Sequence, residues 1–221
     1  KNKNLKTDAA RCCRQSEKKG HPASLPTRSQ SRGAVRIVGG IYKRTPLAVG
    51  NRPGLRPTPE RVRETVFDWL NHLLGGLTGI SCCDMFAGSG ALGLEAASRG
   101  AELVVSIELD RRGCEQLRAV VEKLGAGDVV QVVQADAVSW LSKSEQLFDV
   151  IFIDPPFAAD LHKPAAAAAL MRLKPQGLVY LESDRDFDEQ ALADMGLETV
   201  RSGKAGAVFY RLTARARPKQ G

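Results

Sequence analysis

The sequence has 221 residues, 43% apolar and 26% charged, with a mean hydropathy of −0.21 and a net charge of +7; this suits one sizeable domain with a small appendage and needs no disulfide staples. No apolar run reaches the roughly eighteen residues of a membrane-spanning helix, and the basic N-terminus runs into no apolar leader segment, so a cytoplasmic protein without membrane contact, acting as a monomer, is expected. The charge is unevenly placed: residues 1–66 carry sixteen Lys/Arg against four Asp/Glu and residues 67–221 carry sixteen against twenty-one, the asymmetry of a basic arm for a polyanion joined to a mildly acidic domain.

Residues 1–33 are rich in Lys, Arg, Ser, Gln and Asn without apolar periodicity, and are expected to be a disordered basic tail. Val35 to Val38 alternates like a strand and ends at Gly39-Gly40; Leu47-Ala48-Val49 is a short partner for a hairpin. Gly50 to Pro57 reads as a loop. Thr58-Pro59 predicts a helix start with Thr58 as N-cap. Val62, Val66, Trp69, Leu70, Leu73 and Leu74 continue it at helical spacing to Gly75-Gly76. Residues 34–76 are therefore a small N-terminal extension.

From Ile80 onward the pattern alternates. Strands are predicted at 80–85, 103–108, 129–134, 148–153 and 177–182, and helices at 91–99, 111–124, 137–143, 161–173 and 187–194. The strands are continuous apolar runs, as in a parallel sheet covered on both faces. The architecture expected is α/β, a Rossmann-like doubly wound sheet. Two last runs, 196–201 and 206–212, are too close for a parallel crossover and must pair antiparallel. This domain is placed at 77–215, with a short tail at 216–221. The cysteines at 12, 13, 82, 83 and 114 are odd in number and contain no C-x-x-C, so neither a disulfide framework nor a metal site is expected.

Three constellations carry chemistry. The first is Asp84-Met85-Phe86-Ala87-Gly88-Ser89-Gly90-Ala91-Leu92-Gly93, where the first predicted strand of the sheet meets its helix. Small residues there admit a ligand close to the backbone and to the free N–H groups of a helix start. The second is acidic. Glu108, ending the next strand beside Leu109, is placed for ribose hydroxyls. Asp136, beside Ala137, suits an adenine amino group or a helix N-cap equally. These features fit a nicotinamide dinucleotide as well as S-adenosylmethionine, so a dehydrogenase stays in play.

The third constellation is Asp154-Pro155-Pro156-Phe157, leaving the end of the buried strand 148–153. The prolines remove N–H donors and leave a carboxylate, carbonyls and an aromatic ring. That set suits a planar base bearing an amino group. Asp154 and the Pro155 carbonyl each accept one N–H, and Phe157 stacks on the ring. A dehydrogenase has no use for it. N6-adenine methylation of DNA remains an alternative, although the short sheet connections leave little room for a DNA-recognition region.

With these residues in view, the sequence resembles the RsmD family, methyltransferases that modify N2 of a guanine in 16S ribosomal RNA. The resemblance covers about residues 35–213. It rests on Arg36-Ile37-Val38-Gly39-Gly40, on Leu55-Arg56-Pro57-Thr58 with Arg63-Glu64-Thr65-Val66-Phe67, on Asp84 through Gly100, and on Asp154 through Phe157. It implies a class I methyltransferase fold, S-adenosylmethionine as methyl donor, and a substrate within an assembled or assembling small ribosomal subunit. It implies cofactor contacts from Asp84, Gly88, Gly90, Glu108 and Asp136, with 154–157 as the amine-binding loop, and their neighbours Phe86, Ala87, Ser89, Leu109 and Ala137 are expected to line the same cofactor site. RNA contacts are expected from Arg36, Lys43, Arg44, Arg52, Arg56 and Thr58. The basic tail 1–33 matches nothing in the family.

Overall fold

A computed structural model describes residues 35–47, 58–156 and 160–217, all within one compact unit spanning Gly33–Gly221. The expectations for the tail 1–33, for Ala48 and Val49, for the loop 50–57 with Arg52 and Arg56, and for Phe157 lie outside the described residues.

The chain opens with a hairpin of β1 (Val35–Arg36) and β2 (Pro46–Leu47), with Val35 opposite Leu47. Helix α1 (Glu60–Leu74) follows. The sheet domain then alternates β3 (Ser81–Asp84), α2 (Ala91–Ser98), β4 (Leu103–Glu108), α3 (Arg111–Leu124), β5 (Val130–Gln134), α4 (Ala137–Lys143), β6 (Phe148–Ile153), α5 (His162–Arg172), β7 (Leu173–Ser183) and α6 (Glu189–Asp194), and closes with β8 (Leu197–Ala205) and β9 (Val208–Arg215). The seven-stranded sheet has the order β5-β4-β3-β6-β7-β9-β8. Strands β3 to β7 are parallel, and β9 is antiparallel to both β7 and β8. This is the doubly wound sheet with a terminal antiparallel hairpin that the sequence predicts, with the strand order reversing between β3 and β6.

Successive strand residues alternate between two cores, as a pleated strand requires. Cys82, Val104, Val150, Phe152 and Tyr180 face α1, α2 and α3. Cys83, Val105, Ile151, Ile153, Val179 and Leu181 face α4, α5 and α6. The N-terminal hairpin joins the first core through Val35, Ile37 and Leu47.

Three local expectations change. Thr58 is not a helix cap: Pro59 holds that position without a side-chain bond, and the Thr58 hydroxyl turns to Asp154 instead. Strand β7 begins at Leu173, four residues before Gly177, because a register shift between Phe148 and Val150 absorbs the irregular stretch. The turn between β8 and β9 centres on Gly206 alone (φ +62°), and Gly203 lies inside β8. A Cβ at Gly203 would stand 2.4 Å from the Tyr210 ring, so its lack of a side chain admits the tyrosine rather than making a turn.

Candidate active site

The carboxyl ends of β3, β4 and β6 converge at the strand-order reversal, the usual ligand crevice of such sheets. Three acidic groups stand there. Asp84 ends β3 and is buried. Its Oδ2 accepts the Gly93 N–H at 3.1 Å, while Oδ1 is enclosed without a hydrogen-bond partner. Burial pushes this carboxyl up to about 7; the N–H groups of Gly93 and Phe86 pull against that, and nearby Glu108 adds to it. A buried acceptor left open beside a glycine-rich turn is where a cationic ligand group gains most.

The turn after Asp84 is shaped by glycine. Gly88 and Gly90 take φ of +51° and +78°, a region costly for other residues. Gly90 also lies under Leu117, whose side chain a Cβ would meet at 2.4 Å. The Ala87 N–H donates to Ile107 O at 2.9 Å, fastening the turn to β4. Helix α2 then starts at Ala91; its N-cap Gly90 has no side chain to cap it, and the Gly93 N–H of its first turn is taken by Asp84. Gly88 and Ser89 border a shallow crevice with Gln116, Leu117 and Val120 of α3.

Glu108 ends β4 and is buried. Its Oε2 accepts the Gly88 N–H at 2.9 Å and its Oε1 the Asp110 N–H at 2.8 Å. The acid thus ties the glycine turn to the end of β4. Leu109 beside it is 69% exposed, an apolar side chain at the crevice rim suited to cover a flat ring. Asp136 is exposed and caps α4, its Oδ1 accepting the Ser139 N–H at 2.8 Å. That backbone bond holds its carboxyl below the usual range, and Ala137 behind it is buried. The helix-cap alternative is therefore the contact seen for Asp136.

Asp154 follows β6. Thr58 Oγ1 donates to its Oδ2 at 3.2 Å. Burial, then the charges of Glu182 and Asp84, hold the Asp154 carboxyl well above the usual range, and the Thr58 bond works against them. Pro155 is buried and Pro156 exposed.

The residues expected to meet RNA divide. Arg36 is held by Glu60 through two bonds of 3.0 and 3.2 Å, and the pair is exposed. Lys43 and Arg44 are exposed on the turn after Gly40, and Arg44 takes φ +71°. Thr58 is buried against Asp154.

Four site residues were not singled out in the sequence reading. Glu95, fully buried on α2, accepts the Val38 and Gly39 N–H groups at 2.7 and 2.8 Å and Arg99 Nε at 2.7 Å. Arg63, fully buried on α1, donates to Thr58 O and Arg36 O, both at 2.6 Å. Tyr180 donates to Glu182 Oε2 at 2.5 Å, and both are buried on β7. Glu95 and Arg63 lie inside the stretches that carry the family resemblance. Glu182 and Tyr180 had no signal beyond a polar residue in an apolar strand.

Three comparisons bear on this geometry. The family model described as conserved hypothetical protein 95 matches residues 35–214. The ribosomal RNA small subunit methyltransferase D of Escherichia coli K12 is 39% identical over 192 residues, covering 83% of this chain and 91% of the relative. The chain belongs to the RsmD family. The family member from Haemophilus influenzae, of the same name, is 35% identical, covering 82% of this chain and 94% of the relative. The solved structure of yhhF from Escherichia coli superposes with a TM-score of 0.70 at 38% identity, covering 83% of this chain and 98% of that one. These RsmD relatives support neither the dehydrogenase nor the DNA adenine-N6 alternative.

Proposed function

We propose that this protein transfers a methyl group from S-adenosylmethionine to the exocyclic N2 amine of a guanine in 16S ribosomal RNA, acting on an assembled or assembling small subunit. The observation that carries the reading is Asp154, held by Thr58 just after β6, on the strand next to β3 and its glycine turn, which Glu108 ties to β4. The names of the RsmD relatives support the ribosomal substrate.

The residues fit the cofactor. The Asp84 carboxyl at the end of β3 and the glycine turn that follows it suit its charged amino acid end. Glu108 suits the ribose, and exposed Leu109 one face of the adenine, with Phe86, Ala87, Ser89, Asp136 and Ala137 around them. When bound, the sulfonium supplies an electrophilic methyl group. This chain's residues orient the acceptor. Asp154 and the Pro155 carbonyl take the two amine hydrogens, and Phe157 stacks on the base. Fixing both hydrogens out of the ring plane aims the nitrogen lone pair at the methyl carbon. Positioning and polarisation supply most of the rate. Arg36, Lys43, Arg44, Arg52 and Arg56 hold RNA phosphates.

The test is methyl incorporation into small subunits from a strain lacking the enzyme, beside naked 16S ribosomal RNA and duplex DNA, with mass analysis of the modified nucleotide. N2-methylguanine in the subunits is the expected product. Duplex DNA as the best acceptor would overturn the ribosomal reading.

A further inference from the structure

We propose that Glu182 is a positioning residue for methyl transfer: seated beside Asp154 on the neighbouring strand, it keeps that carboxylate basic enough to take the proton the acceptor amine loses. This rests on the function proposed above and adds a residue to the same site.

The sheet register sets the arrangement. On β6 and β7, Phe152 lies opposite Tyr180 and Ile153 opposite Leu181. Asp154 directly follows Ile153 at the end of β6 and Glu182 directly follows Leu181 on β7, and Glu182 is the foremost charge acting on Asp154. On the other side Glu182 pairs with Tyr210 of β9. Phe152, Tyr180 and Tyr210 all belong to the core beneath α1, so strand alternation puts Glu182 on that face too, and the bond from Thr58, just before α1, draws the Asp154 carboxyl to the same side. The row Asp154, Glu182, Tyr210 thus crosses three strands, with Tyr180 below it.

Every element packed around the row contributes a group. Tyr180 of β7 donates to Glu182 at 2.5 Å. Arg63 of α1 is close enough to feel the Glu182 charge. Thr58 donates to Asp154, and Asp84 of β3 repels it. His162 of α5 meets only the Glu182 carbonyl, at 2.8 Å, and Tyr210 closes the β9 side.

A buried carboxyl beside a half-buried one is a costly arrangement, and such arrangements concentrate where proton affinity is being set. The Tyr180 hydroxyl donates to Glu182 and fixes its carboxyl. Burial first, and then the charge of Glu182, raises the affinity of Asp154 for a proton, and a stronger base takes a proton more readily. The amine lone pair forms the N–C bond as the C–S bond breaks, its electron pair going to sulfur. The nitrogen, now cationic, passes one proton to Asp154 and leaves as a neutral secondary amine. Asp154 returns that proton to water after product departs.

The experiment measures initial rates of the full chain on small subunits with S-adenosylmethionine from pH 5.5 to 9, for the wild type and Glu182→Gln. Glutamine is nearly isosteric and can still accept from Tyr180. The acid limb of kcat, which reports the carboxyl pair, is expected about half a pH unit or more lower in the variant, with plateau kcat reduced severalfold. The KM for subunits and the affinity for S-adenosylhomocysteine stay within about twofold, and the thermal midpoint at pH 8 is unchanged or higher. A space-filling role predicts instead a lower midpoint and an unmoved limb, and that result overturns the proposal. The limb position does not depend on the folded fraction, so a partly folded variant still reads out; Glu182→Met serves if glutamine prevents folding. A wild type that methylates no subunits defeats the proposed function itself. Transfer by the wild type with an unmoved variant limb defeats only the role of Glu182.

Discussion

The Thr58 hydroxyl reaches the Asp154 carboxylate at 3.2 Å across 96 positions of sequence. The residue just ahead of the first helix's cap therefore holds the group proposed to receive the acceptor amine. Arg63, one turn along that helix, grips the Thr58 carbonyl at 2.6 Å and the Arg36 carbonyl at 2.6 Å. Hairpin, helix and acceptor loop are one hydrogen-bonded unit, so changes in the extension should be felt at the acceptor.

Replacing Asp154 by alanine should nearly abolish methyl transfer while leaving S-adenosylhomocysteine affinity within severalfold, because its contact is made to the acceptor and sharpens in the transition state. Thr58→Val, which removes only the hydroxyl, should lower kcat more modestly. Single-turnover assays beside calorimetry check both. Near-normal turnover in the alanine variant would remove Asp154 from the mechanism.

Glu108→Ala should weaken S-adenosylhomocysteine binding by about tenfold to a hundredfold, the loss of roughly 1.5–3 kcal/mol for charged hydrogen bonds. The variant loses a ribose acceptor and also frees the Gly88 N–H that Glu108 holds. Calorimetry with unchanged affinity would place the ribose elsewhere.

Asp84 makes stability depend on pH. Its folded pKa of about 7 lies above the ordinary value of 3.8. The folded protein therefore holds a proton that the unfolded chain gives up across that window. The contribution is fully present below about pH 4 and is lost as pH rises through 7. Asp84→Asn, which keeps an acceptor for Gly93, should melt at a higher temperature than the wild type at pH 8, and the gap should close by pH 4. Equal melting curves at both pH values would contradict the shift.

Glu95 answers two backbone N–H groups and one guanidinium in a fully buried place. Glu95→Ala should cost about 3–5 kcal/mol of stability by leaving those donors unanswered. Gly40→Ala should also destabilise, since its Cβ would fall 1.8 Å from the Ser98 carbonyl oxygen at a φ of +72°. Urea unfolding measures each, and a change under about 0.5 kcal/mol in both would mean that the hairpin is not fastened there.

Removing residues 1–33 should weaken RNA binding mostly at low salt and flatten its salt dependence, because those residues carry nine Lys/Arg and a polyanion is drawn to such charge in a salt-dependent way. The methylated position should stay the same. Arg52 and Arg56 replaced together should instead reduce methylation even at saturating RNA. Filter binding at two salt concentrations, with mass analysis of the product, separates these outcomes.

The parallel sheet was legible because strands covered on both faces are written as apolar runs, and the glycine turn because glycine takes its φ values at the least cost. Strand β7 was read short because Pro175 and Gly177 look like breakers, although a register shift accommodates them. Thr58 carried every local sign of a helix cap. Its actual partner is 96 residues away, and no window of sequence shows such competition. Glu95 and Glu182 were passed over for the opposite reason: an acid in a helix or strand ordinarily faces water, and only the packed structure reveals what it answers.

Strand β9 lies inside the sheet, between β7 and β8, although it is the latest in the chain of the described strands. A growing polypeptide can assemble β3 through β7 and still present β7 with a bare row of N–H and C=O groups. That open edge is a template for intermolecular pairing until residues 208–215 slot in. Full-length synthesis is thus a checkpoint for solubility: products stopped before residue 208 should aggregate even though the whole crevice-forming sequence has already been made.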